Sequence, residues 1–104
     1  MSLKTSKGMG VVDMGAFYHI YISPKDGVTR AQYRPKMDLA IDWFRYDDKN
    51  WIVYTTSDAR KWDSRLREFV NPGGHLFICK LQIDDYFGFM SKKLWEWLKK
   101  DRQN

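Results

Sequence analysis

From Ala16 to Ser23 the chain reads AFYHIYIS, and its large side chains alternate. Tyr18, Ile20 and Ile22 fall on one side, Phe17, His19, Tyr21 and Ser23 on the other. A period of two is the signature of a strand, and here both faces carry bulk. PKDG ends it with turn residues. Farther on, YRPKMDLAIDWF places Met37, Leu39, Ala40, Ile41 and Phe44 at helical spacing. This pattern predicts a first helix over 34–43, with Pro35 accommodated in its first turn. In WFRYDDKNWIVYTT, aromatic and β-branched residues surround the turn-prone cluster Asp47, Asp48, Lys49 and Asn50. That reads as a short strand, a tight bend and a second strand running through Trp51 to Thr56. Ser57 or Asp58 can cap a helix carrying Ala59, Trp62, Leu66 and Phe69 on one face, and NPGG stops it. HLFICKLQ alternates again as the last strand, and a short third helix starts near Ser91.

The order β-α-β-β-α-β predicts an α+β fold, a ferredoxin-like sandwich with two helices on one face of the sheet and an extra C-terminal helix. If the short strand before Asp47 fails, the alternative is a small parallel α/β sheet. The chain has 104 residues, enough for one domain. Residues 1–15, Gly- and Met-rich and without a period, read as a disordered leader, and 16–104 as the single domain. An apolar content of 43% with 16% aromatics fits a folded chain. The single cysteine, Cys79, cannot form an internal disulfide, and no apolar run suits a signal peptide or a membrane span. The expected compartment is the cytoplasm, with no membrane partner.

A net charge of +5 raises the question of nucleic acid, since phosphate contacts supply most non-specific affinity. Much of the excess sits at the ends: residues 16–98 carry 13 basic and 11 acidic groups. The body is nearly balanced, which favours a mixed-charge surface over a continuous phosphate track.

Catalytic signals are sparse. His19, His75 and Cys79 lack the paired short spacings of a zinc site, and Cys79 has no accompanying His-Asp pattern. Asp38 and Asp42, four apart on the predicted helix, share a face where solvent reconciles them as well as a metal does. No Walker loop, dinucleotide fingerprint, zinc-protease motif or nucleophile elbow is present. Phe17, His19 and Tyr21 could stack bases in the manner of an RNA-recognition sheet, but GGHLFICKL lacks the basic-glycine-aromatic pattern of that module. The second apolar sheet face instead calls for a cover, a partner sheet or the C-terminal segment, and hence for a homodimer.

The stretch from Tyr33 to Ile78 resembles the SinR-like group of small prokaryotic proteins, related to the CRISPR-associated small endoribonuclease family. The likeness rests on Tyr33 before helix one, the aromatic stretch Trp43 to Tyr46, and Trp51 to Val53. It extends through Thr55 and Thr56, the Trp62–Leu66–Phe69 helix, and Gly74 to Ile78. The resemblance covers about residues 16–98. It implies a ferredoxin-like dimer of nucleic-acid-linked ancestry, whose nuclease members carry an aspartate at the end of strand one. Here Ile22 and Ser23 follow Tyr21, and Asp26 comes later. An active nuclease therefore ranks below a non-catalytic, nucleic-acid-associated or protein-binding accessory.

For phosphate contacts the candidates are Lys25, Arg30 and Arg34 in the loop after strand one, with Lys36. No cofactor is called for on this reading. The alternative is a metal-dependent endonuclease on RNA or DNA. In it Asp26 would hold Mg²⁺ or Mn²⁺, Ser23 would polarise a water or phosphate oxygen, and carboxylates would be pooled across a twofold axis. A third reading is a toxin-antitoxin or mobile-element accessory working by protein contact. Finally, FMSKKLWEWLKK projects as a helix with Met90, Leu94, Trp95, Trp97 and Leu98 on one arc and lysines opposite. That predicts a lid on the sheet or a dimer strap.

Overall fold

The computed structural model describes residues 15–102, so the expected leader lies outside the described residues apart from Gly15. In chain order the elements are β1 (Ala16–Ser23), α1 (Arg30–Met37), β2 (Asp42–Arg45), β3 (Asn50–Thr55), α2 (Ala59–Leu66), β4 (His75–Leu81) and α3 (Lys92–Lys99). A 3₁₀ turn, Arg67–Phe69, prolongs α2. The strands form one sheet in the order β2-β3-β1-β4 with every neighbouring pair antiparallel. The short strand before Asp47 holds, and the parallel alternative falls with it. Among the described residues no helix is long and apolar enough to cross a membrane.

The alternation in β1 becomes two faces of different fate. Tyr18, Ile20 and Ile22 are buried with Trp51 and Val53 of β3 beneath Tyr33 and Met37 of α1 and Trp62 and Leu66 of α2. Asp58 starts α2 by accepting the Lys61 backbone N–H at 2.9 Å, and Trp62 and Leu66, one turn apart, then fall on the buried face. The Trp62 indole N–H finds Thr55 Oγ1 at 3.3 Å, so its burial leaves no orphan donor. NPGG ends the helical segment as predicted, with Gly73 at φ +94°.

The first helix departs from the prediction over 34–43. It begins four residues earlier, where Gln32 Oε1 accepts the Thr29 backbone N–H at 2.7 Å, one half of a capping box. It stops at Met37. Pro35 lies inside the helix, denying it one hydrogen bond, and the chain then turns through Leu39 N–H to Lys36 O and Ala40 N–H to Met37 O. Ile41 N–H bonds Tyr54 O at 2.9 Å, and from Asp42 the chain is a strand. Leu39 and Ile41, assigned to the apolar helix face, are 57% exposed, and Phe44 belongs to β2. Asp38 and Asp42 accordingly do not share a helix face. Asp38 caps α1 and accepts the Trp43 indole N–H at 2.8 Å, while Asp42 opens β2.

The opposite sheet face is covered at one end by α3. Trp97 lies 5.8 Å from the rings of both Phe17 and Phe44, and Leu94, Ile52 and Tyr54 are buried. Arg102 stacks at 4.3 Å over Trp97 and 5.1 Å over Phe17. Its guanidinium and the Lys100 ammonium reach Asp42 at 3.5 and 3.2 Å, joining the chain end to β2. Burial alone would push the Asp42 carboxyl up, but the hydrogen bond and charge of Lys100 and the Trp43 backbone N–H outweigh it, leaving the group below its ordinary value. Trp95 faces elsewhere, stacked on Tyr86 at 5.8 Å. The lid role expected for this helix is realised by Trp97.

Candidate functional site

At the end of the sheet where β1 finishes, the N-terminal turn of α1 and the β2–β3 turn bound a cleft of about 740 Å³. Arg30 and Arg34 line it, together with Thr29, Tyr33, Asp38 and Asp48. The early start of α1 accounts for this: four residues apart on a helix, the two arginines occupy one face. Lys36, six positions from Arg30, projects about 120° from it around the helix and is not among the lining residues.

Among the described residues each arginine is held by one neighbour. Arg30 Nη1 donates to Asp48 Oδ1 at 2.7 Å, in a pair whose side chains are 42% and 79% exposed. An ion pair that exposed is worth about 0–1 kcal/mol, so Arg30 can exchange Asp48 for another anion at little cost. The Arg34 guanidinium lies 5.4 Å over the Trp43 ring, which orients it and leaves its N–H fork available. The ring of Tyr33 is buried, and burial raises its phenol above the ordinary value, so it stays a neutral donor. The cleft thus offers two planar guanidinium groups at the edge of a half-apolar recess.

Other residues named from the sequence are placed apart. Lys25 donates to Asn71 O at 3.2 Å, turning its ammonium toward the α2–β4 loop. The Val28 N–H to Lys25 O bond closes a turn with Gly27 at φ +85°, and Asp26 sits exposed at its corner. Ser23 is half-buried at the end of β1, paired with His75. Neither Ser23 nor Asp26 lines the cleft. Among the described residues no group of three or more His, Cys, Asp or Glu could hold a metal ion.

Beyond α3, the open sheet face carries His19, Tyr21, Phe77 and Cys79, with Phe77 60% exposed. His19 Nε2 meets the Tyr46 hydroxyl at 2.8 Å. Burial lowers the imidazole from its ordinary value against the opposing pull of the Asp47 charge. Asp48 reads from the sequence as a turn residue only, and its place at the site was missed because its partner Arg30 lies 18 positions away. The early helix start was detectable, since Thr29-Arg-Ala-Gln32 fits the capping-box spacing. Comparisons of this chain with protein-family models, with curated proteins and with solved structures found no match.

Proposed function

We propose that this protein is a non-catalytic, nucleic-acid-associated module that acts as a homodimer and grips the phosphate backbone with Arg30 and Arg34. The observation carrying the reading is the cleft itself. Two arginines one helical turn apart face a recess of about 740 Å³, one stacked on an indole and the other in a weak exposed ion pair. Arginine forks match phosphate oxygens bidentately, and phosphate contacts need no base-specific chemistry. We assign the fold to the ferredoxin-like class. The order β2-β3-β1-β4 supports this, because both β-α-β units skip one strand, as a split β-α-β arrangement does. The likeness to SinR-like proteins points the same way.

The test is fluorescence anisotropy with labelled single- and double-stranded RNA and DNA across a salt series. Wild type binds with an affinity that falls as salt rises, and Arg30→Ala/Arg34→Ala lowers the log–log slope by about 1–2. Lys25→Ala, whose ammonium is turned toward Asn71, changes the slope less. Binding insensitive to ionic strength, or equal slopes for wild type and the double variant, would refute the assignment.

A further inference from the structure

Between β4 and α3 the chain reads DDYFGFMSKK, residues 84–93. Phe87 and Phe89 are 102% and 101% exposed, and Tyr86 and Met90 remain 42% and 41% exposed. Two fully solvated phenyl rings two residues apart form a concentrated apolar patch rather than scattered surface hydrophobes. Beside them lies an apolar recess of about 220 Å³ lined by Tyr86, Phe87, Gly88, Trp95 and Lys99. The same patch therefore presents knobs and a hole.

We propose that this segment is the surface on which two copies of the chain associate, antiparallel about a twofold axis between Gly88 and Phe89. The inference rests on the homodimer reading above and names its interface. A closed twofold contact must be self-complementary, residue i against j and j against i. In this register Asp84 meets the partner's Lys93, Asp85 meets the partner's Lys92, and Phe87 meets the partner's Met90. Each Phe89 ring enters at the partner's Gly88, the one position of the recess without a side chain. The charges agree throughout: both acids precede the rings and both lysines follow them. Among the described residues Lys92 pairs with Glu96 at 3.8 Å, an exposed contact it can give up. The area is sufficient. Phe87 and Phe89 bring about 400 Å² per copy, and with Tyr86 and Met90 the two copies bury about 1,200 Å², the lower bound of stable interfaces. An anionic bilayer fits the rings and would attract Lys92 and Lys93 but repel Asp84 and Asp85, whereas a second copy satisfies charges of both signs, so a second copy is the better match.

Sedimentation velocity of the full chain up to about 100 µM, a range that populates an interface of this size, tests the proposal. Wild type is expected to dimerise, and Phe87→Ser/Phe89→Ser to raise the dissociation constant about 100-fold or more. At concentrations well below the wild-type dissociation constant its melting temperature should hold, because the fully exposed rings contribute no burial within their own chain. Asp84→Lys/Asp85→Lys and Lys92→Glu/Lys93→Glu should each dimerise more weakly alone and pair with one another when mixed. A wild-type chain that stays monomeric overturns the homodimer reading along with this surface. Equal dimerisation by the phenylalanine variant, or no pairing in the mixture, overturns this surface alone. Binding of a monomeric wild type to phosphatidylserine vesicles, lost in that variant, would assign the rings to a bilayer instead. Loss of nucleic-acid binding in the arginine variant reads the cleft separately.

Discussion

Replacing Trp97 by alanine removes the side chain that joins α3 to the sheet. The ring lies 5.8 Å from Phe17 and from Phe44, and Arg102 stacks on it at 4.3 Å. Each aromatic contact contributes about 0.5–1.5 kcal/mol and the stacked guanidinium about 0.5–1 kcal/mol beyond area burial. Returning about 100 Å² of covered indole to water adds about 2.5 kcal/mol. Because half-buried sites relax and such terms overlap, the expected net cost is about 3 kcal/mol. An eight-residue helix cannot sustain itself in water, so the loss should appear first as local undocking of α3.

Hydrogen exchange followed by mass spectrometry is the appropriate assay. Amides of 92–99 should exchange about 100-fold faster in Trp97→Ala, while β1 and β3 stay protected to the level of the remaining global stability. The urea slope should fall as well, since a chain with α3 already released has less surface left to expose. Trp95→Ala is the internal comparison. It loses one stacked contact to Tyr86, about 0.5–1.5 kcal/mol, and should leave the sheet face covered. Unchanged α3 protection in Trp97→Ala, or an equal effect from Trp95→Ala, would show that Trp97 does not hold the helix.

Two titrations follow from the same geometry. The folded-state value of Asp42 is depressed, so its stabilisation is complete above the ordinary 3.8 and is lost as pH falls through the lower folded value. Melting temperatures of wild type and Asp42→Asn should therefore converge below about pH 4 and separate above it. His19 is also depressed, here by burial of a group that is cationic when protonated. Unfolded chain then binds the proton more readily, so His19 costs stability as pH drops below 6.5 and costs nothing well above it. NMR titration of the imidazole should give a midpoint under 6.5, and a midpoint above it would contradict the burial of the ring.

The strands and α2 were legible because their evidence is local. Alternation through AFYHIYIS and the spacing of Trp62 and Leu66 follow from backbone periods of 2 and 3.6, whatever the rest of the chain does. The first helix was misplaced because Met37, Leu39, Ala40 and Ile41 satisfy the helical period as a set, while the capping signal at Thr29 stood outside that window. What ends α1 is the pairing of Ile41 with Tyr54 and the packing of Trp43 on Trp51, at 4.7 Å between rings. Neither contact is visible from the helix's own sequence. The candidate site shared that fate. Its residue types were readable, but the divergence of Lys25 and Lys36 from Arg30 and Arg34 depends on where the helix begins and on Asn71, 46 positions from Lys25.

The sequence by itself determined which segments could be strands or helices, that both sheet faces would need covering, and that the C-terminal helix had one apolar side. These are properties of short-range periodicity and composition, fixed before any distant contact forms. Only the tertiary structure decided that Trp97 and not Trp95 takes the sheet, and that Asp42 is joined to Arg102 across 60 positions. It also decided that Phe87 and Phe89 are left in solvent. Such outcomes depend on which surfaces meet, and that is set by the packing of the whole chain, where a one-residue shift in helix or strand register changes every neighbour.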